Sequence, residues 1–550
     1  MLATLPRGSF CSSAHPRVKR GGWQSKLLPS IAIMLLNLCL PSGALGQAVY
    51  GSIFGTVTDP SGAAMPGVKL SLTSLERDTS TETTTNATGN YELAHLLPGR
   101  YRIRAEAQGF KLSEITEIPV HVDQSTRIDL RLQVGGAIET VEVSADQVPL
   151  LKTDRADVSI TFDQRVILDV PLAVKGNFTA LELLAPGTSI LGWQHASSEN
   201  PQGSIQINVN GQNWSQTTYQ LDGTDNRDPI LGIIVINPNP EAVTEAKITT
   251  QNFDTEFGQA LAGVISTQTK SGTNSFHGSV APSHHGGGSP IPKFLQVPGV
   301  RIPIDNFWTV AGSFGGPIIK NRLFFFGDYV TERLDRAAAG RFNVPTTLVR
   351  GTCLNVNSAV CDLSEYPRQI WDPASGNTVL AFPNNQIPEN RISRQAIALL
   401  KLMPAPNVAS TGFNQNYLAT GSDVFDDDRF DVRIDHILSP KLQYFGRYSF
   451  ADFRRYAPPA FGDLAGGIGL LDGFPGRAPA RNQSLALGFN YLLTDTLLAD
   501  FRFGFFRYHV NDFNSSYGTT PAKDAGIPNL NFDHGLTSGM PFMQVDGQDG

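Results

Sequence analysis

Two neighbouring stretches, FDVRID (430–435) and LQYFGRYSF (442–450), decide the fold. In an extended chain successive side chains point to opposite faces. Phe430, Val432 and Ile434 therefore share one face and Asp431, Arg433 and Asp435 the other. Likewise Leu442, Tyr444, Gly446, Tyr448 and Phe450 oppose Gln443, Arg447 and Ser449. Such a pattern fits a half-buried strand of a soluble sandwich, or a strand with one face in lipid and the other toward a polar interior. Charges directly behind large aromatics favour the second reading, as do an export signal upstream and a mixed segment that would fill the interior.

The pattern recurs. Trp308, Val310, Gly312 and Phe314 oppose Thr309, Ala311 and Ser313; Leu485, Leu487, Phe489 and Tyr491 oppose Ala486, Gly488 and Asn490; Phe501, Phe503 and Phe505 oppose Arg502 and Gly504. Roughly seven such strands can be counted beyond residue 274. A bilayer forces such strands to close into a barrel, because an open edge leaves backbone groups unpaired in lipid. Residues 335–425 interrupt them with a long polar, Pro- and Asn-rich stretch. That length fits an extracellular loop, since periplasmic turns are short. It holds Cys353 and Cys361, which either close a small disulfide after export or remain two loop thiols.

Upstream, Arg17, Lys19, Arg20 and Lys26 precede the short apolar run Ile31–Leu40, then small residues to Gly46. Basic, apolar, then small at −3 (Ala44) and −1 is the signal-peptide order, so residues 1–46 are expected to be a leader. The apolar run is about half of the roughly 20 residues a membrane helix needs. Over 550 residues the net charge is −7, charged residues are 17%, and there are 53 glycines and 32 phenylalanines. A mildly acidic chain without a basic patch argues against a nucleic-acid partner.

Residues 51–134 alternate in short runs: Ile53, Gly55, Val57; Val68, Leu70, Leu72; Tyr101, Ile103, Ala105; Ile128, Leu130, Leu132. Turn clusters at 59–62, 87–90 and 97–99 separate them, which predicts a small β-sandwich. The segments GTVTDPSGAAMPGVKLSL and TNATGNYELAHLLPGRYRIRAEAQGF resemble the carboxypeptidase regulatory-like domain over 50–134. The resemblance implies a structural or docking module. A zinc peptidase needs His and Glu ligands close together, and neither H-x-x-E nor H-E-x-x-H occurs.

After the hinge at Gly135 and Gly136 comes Glu139-Thr140-Val141-Glu142-Val143-Ser144-Ala145. An extended segment of this kind can add as a strand to a partner's sheet edge; it reads equally as a last strand of the sandwich or a linker. It resembles a TonB box. Residues 146–273 are mixed: a short strand or turn over 163–170, a helical stretch over 177–185, strands over 205–210 and 218–223, and an acidic helix start over 241–247. The pieces INVNGQ, YQLDGTDN and AVTEAKITTQNFDTEFG, and the run into TKSGTNSFHG, resemble the plug of TonB-dependent receptors, closest to the Oar-like subgroup that carries the same N-terminal module.

The fold class that results is mainly β: signal peptide (1–46), β-sandwich (50–134), TonB box and α+β plug (135–273), and the first strands of a large antiparallel transmembrane barrel (274–550). Family barrels of this size have 22 strands, so the chain reads as an N-terminal portion with the barrel unfinished. The resemblance implies ligand transport across the outer membrane of a Gram-negative bacterium. The implied partners are a periplasmic TonB-type energy-transducing protein, outer-membrane lipid and an extracellular ligand, with no cofactor. A barrel-anchored adhesion or structural protein is the alternative. The sequence has no G-x-x-x-x-G-K loop, G-x-S-x-G elbow or C-x-x-C, so no catalytic residue is nominated and an enzyme is not expected. His277, His284 and His285 read as polar loop residues beside a glycine turn rather than metal ligands. Asp222, Asp225 and Asp228 read as turn formers rather than a cation site.

Overall fold

The computed structural model describes residues 50–541 apart from 136–139, 144–155, 171–177, 192–199, 294–295, 377–379, 410–413, 472–473, 495–496, 533–534 and 536. The expected leader, and Glu139, Ser144 and Ala145, lie outside the described residues.

The first domain is a two-sheet sandwich of β1 (Gly51–Thr58), β2 (Lys69–Ser74), β3 (Ser80–Thr84), β4 (Asn90–Leu96), β5 (Gly99–Glu106), β6 (Leu112–Val120), β7 (Ser125–Arg127) and β8 (Leu130–Arg131). One sheet runs β4-β1-β7 with β8 also on β1. The alternating residues meet between the sheets, where Ile53, Leu70, Leu72, Ile103, Ile118 and Leu132 are buried. Each such side chain contributes about 1.5–3 kcal/mol on burial. The turns are closed by side chains: Asp59 accepts from the amides of Ser61 and Ala63, and Asn86 from those of Thr88 and Asn90. The buried Tyr91 hydroxyl donates to the Ile128 carbonyl. The second sheet, β3-β2-β5-β6, gains a fifth strand from beyond the domain, β9 (Thr140–Val143), parallel to β6.

The middle domain contains β10 (Val158–Asp163), β11 (Thr188–Ile190), β12 (Ile207–Val209), β13 (Thr218–Leu221), β14 (Thr224–Asp225), β15 (Val243–Gln251) and β16 (Val264–Thr269). Five of these form a mixed sheet, β10-β15-β16-β13-β14, with β13 and β16 parallel. Phe162, Ile167, Phe178, Leu181, Tyr219 and Ile248 form its core. Two local expectations are corrected. Residues 164–169 form a helix, because Asp163 caps it by accepting from the Val166 amide. Residues 243–247 continue as strand β15 rather than helix; its charged residues, which suggested a helix start, are buried against the first domain.

The large sheet consists of β17 (His277–Gly286), β18 (Asn306–Ile319), β19 (Leu323–Phe342), β22 (Tyr417–Ser439), β23 (Leu442–Ala457), β24 (Gly476–Thr494) and β25 (Leu497–Val510). Between β19 and β22 lie β20 (Val360–Asp362) and β21 (Gln386–Pro388), paired with each other, and β26 (Phe513–Asn514) pairs with β24. All seven long strands are antiparallel and neighbours in chain order. Short turns join β18 to β19 and β22 to β23 at one end, while residues 287–305, 343–416 and 458–475 make long connections at the other. That asymmetry is the one expected of periplasmic turns and extracellular loops.

His277, His284 and His285 lie in β17, not in a loop; His284 stacks on Trp308 and His285 on Phe307. The long connection spans 343–416 rather than 335–425, because β19 and β22 stay paired as far as Phe342 and Tyr417. It is folded: helices Thr347–Cys353 and Arg394–Leu402 and the β20–β21 hairpin share a cluster that includes Val349, Leu363, Ile387 and Leu400. Cys353 and Cys361 are joined in a disulfide there, with their Cα atoms 4.3 Å apart.

Candidate functional site between the middle domain and the large sheet

The alternation of β22 sends its two faces into different surroundings. Val432 and Ile434 are exposed, together with Phe314 of β18 and Phe501, Phe503 and Phe505 of β25. Asp431, Arg433 and Asp435 are buried against the middle domain. Along that inner face Asp427, Arg429, Asp431, Arg433 and Asp435 alternate in charge, each two residues from the next.

Asp222 of the middle domain meets this ladder. It follows β13 in a turn, at φ 52°, and its carboxylate accepts from the Thr269 amide at 2.9 Å and the Thr269 hydroxyl at 2.8 Å. Across the interface Arg433 Nη1 donates to Asp222 Oδ1 at 2.8 Å, and Arg447 Nε lies 2.8 Å from Asp222 Oδ2. Asp222, Arg433 and Arg447 are 1%, 2% and 1% exposed. Arg433 also binds Asp435 at 2.9 Å, which accepts from Ser271 at 2.6 Å. Arg447 donates to Ser449, which in turn donates to Asp431. Phe445 lies under the Arg433 guanidinium at 4.9 Å.

In a low-dielectric setting each of these charges is tolerable only while its partners are in place. Weaker polar contacts surround the cluster: Asn239 Nδ2 to Asp328 at 3.1 Å, and Asn482 Nδ2 to the Val235 carbonyl at 2.9 Å. The apolar part is small, with Leu221, Val235 and Ile236 against Phe506 and Tyr508. Gly504 permits the approach, since a Cβ there would stand 2.7 Å from Thr224.

A second set of contacts fastens the sandwich to the middle domain. Lys247 of β15 binds Asp123 at 2.7 Å and Asp157 at 3.1 Å. Glu245 accepts from the Val122 amide and pairs with His121 Nδ1 at 3.0 Å. The hydrogen bond to Glu245 raises His121 above the usual imidazole range against the opposing effect of burial. The sandwich also touches the large sheet, through His95 and Asp500 at 3.1 Å and Tyr50 beneath Arg502 at 4.9 Å.

Of the residues singled out from sequence, Thr140–Val143 form β9 on the sandwich, and Cys353 and Cys361 lie in the loop subdomain. Asp225 and Asp228 accept from nearby amides (Arg227; Ile230 and Leu231), as turn formers do. Asp222 differs, because it also pairs with Arg433 and Arg447 of the large sheet. Among the described residues no group of three or more His, Cys, Asp or Glu is placed to hold a metal ion. Sequence reasoning missed Asp123, Glu245 and Lys247; the available signal was the pair of charges inside β15.

Two family models match domains of this architecture. Residues 268–550 match the family described as outer membrane beta barrel domain, and residues 52–133 match the carboxypeptidase regulatory-like domain. The chain is 28% identical over 311 residues to the TonB-dependent transporter Oar of Myxococcus xanthus, covering 54% of this chain and 28% of that protein. It therefore spans less than a third of the length of that curated relative. Among solved structures, the outer membrane transporter YddB of Escherichia coli is similar over 64% of this chain and 39% of its own, with 10% identity and a TM-score of 0.37. The ferric citrate transporter FecA is similar over 65% and 40%, also with 10% identity and a TM-score of 0.37. An exposed apolar face, a charged inner face and the match over more than half its length lead to one conclusion: the chain belongs to the outer membrane β-barrel family and resides in the outer membrane of a Gram-negative bacterium.

Proposed function

We propose that the protein carries out TonB-dependent active uptake, with the middle domain as a plug that ligand and partner together unseat. The observation that carries this reading is the Asp222–Arg433–Arg447 cluster. It holds the middle domain to the sheet by charges that water or rearranged side chains can re-pair, rather than by a continuous apolar core. Ligand binds from outside, on the loops and the plug apex. Residues 139–145 contact the periplasmic TonB-type protein by strand addition, and the inner-membrane ion gradient supplies the work. The protein is then a transporter and not an enzyme. Its resemblance to the Myxococcus xanthus transporter supports the assignment over the shared region.

Deleting residues 139–145 tests it. Uptake should be lost while surface display stays normal. Unchanged growth on every candidate ligand would instead favour a barrel-anchored adhesion protein.

A further inference from the structure

Strand β6 has two unlike halves. Glu117 sits at φ 59°, a conformation rare for residues with a side chain, and Pro119 has no N–H to donate. The second half is thus a poor template for another strand. The first half, Leu112–Ile115, has neither defect, and Thr140–Val143 lies along it in parallel register from Leu112 opposite Thr140 to Ile115 opposite Val143. The other edge of β6 is occupied by β5. The route is short: Phe110 bridges Val134, and the Gly135 amide donates to the Gly109 carbonyl, just before the segment begins. Closing so small a loop costs little entropy.

This placement has a mechanical consequence. The sandwich is itself tied to the middle domain through Asp123 and His121 and to the large sheet through His95. While residues 140–143 remain on β6, a pull on them is borne by the sandwich and its anchors. Only when they leave β6 does the pull run along the chain to β10, which pairs with β15 of the middle domain.

We infer that the first half of β6 is a docking edge for residues 140–143, holding the coupling segment as a strand of the sandwich until the edge strand of the energy-transducing partner displaces it. The inference rests on the reading of residues 139–145 as the partner's contact. It gives the sandwich a role: it sets how much of the segment is available to bind.

The test is a reversible clamp in the full-length protein, Ser113→Cys with Val141→Cys, the two being register partners. Neighbouring strands bring Cα atoms within disulfide range. The probe is the purified periplasmic domain of the host's TonB-type protein. The pair should close on mild oxidation without the probe. The oxidised protein should bind the probe about tenfold or more weakly, since only the released fraction is competent, and reductant should restore binding. A second pair, Leu112→Cys with Thr140→Cys, guards against misfolding of the first. Failure of both pairs to close in the folded protein overturns the inference. So does equal binding by the oxidised and reduced forms, which would place the partner on the outer edge of β9. If deletion of 139–145 leaves probe binding unchanged, it is the underlying reading of the segment that fails.

Discussion

The sandwich interior and the surface between the middle domain and the large sheet are both buried, but they are built oppositely. The first is filled by aliphatic residues such as Ile53, Leu70 and Ile103. The second is centred on Asp222, Arg433 and Arg447, ringed by Asp431, Asp435, Ser271 and Thr269. An apolar core loses its whole benefit when it opens, because every apolar surface returns to water. A buried ionic contact costs desolvation to make and regains hydration when it opens, so its net hold is modest even though removal of one partner is severe. The first suits a permanent module, the second the removable plug proposed above.

The largest expected effect breaks the ionic side of this contrast. Asp222→Ala leaves two buried guanidiniums short of a counterion and should destabilise the seating of the middle domain by about 3–5 kcal/mol, read as lost protease protection of residues 156–271 in detergent. A loss below about 1 kcal/mol would mean the charges are already hydrated. Replacing the cluster's charges together by apolar residues of similar volume should cost far less than Asp222→Ala alone.

On the apolar side, Ile103→Ala should cost about 3 kcal/mol through cavity formation. The loss should appear in unfolding of the sandwich and leave protection of the middle domain unchanged.

Two further effects follow pH. Glu182 is buried, accepts from the Tyr219 hydroxyl at 3.3 Å, and is pushed up to about 8 by desolvation. The folded state therefore retains a proton that the unfolded state releases above the ordinary glutamate range. Stability should fall by about 1.4 kcal/mol per pH unit between that range and pH 8, and Glu182→Gln should flatten the profile.

His121 has a raised pKa, so its contribution is fully present below the ordinary imidazole value and fades as pH rises through the raised one. Docking of the sandwich on β15 should weaken over that interval, and His121→Gln should remove the dependence. The smallest effect is the control: Arg127→Ala, at an exposed pair with Asp129, should change stability by no more than about 0.5 kcal/mol.

What was legible in the sequence follows the same division. The strands of the sandwich and of the large sheet could be read because each has one apolar face, which writes a period of two into the chain. The charges at Arg433 and Arg447 were placed on the inner face for that reason. Their shared partner was not legible, because Asp222 lies 211 residues from Arg433 and sits among turn-forming residues that look alike. Strand β15 was misread for a related reason. Nearly all of it is buried, polar residues included, so no alternation survives; Glu245 and Lys247 are accommodated because His121, Val122, Asp123 and Asp157 meet them.

The account depends on one sheet having lipid on one side and the middle domain on the other. Single cysteines along 501–506, spin-labelled in native outer membranes and probed with oxygen and a polar nickel complex, test it most directly. Labels at Phe501, Phe503 and Phe505 should be reached by oxygen and shielded from nickel, while those at Arg502 and Phe506 should be shielded from oxygen. Equal exposure of both sets to the polar reagent would contradict it.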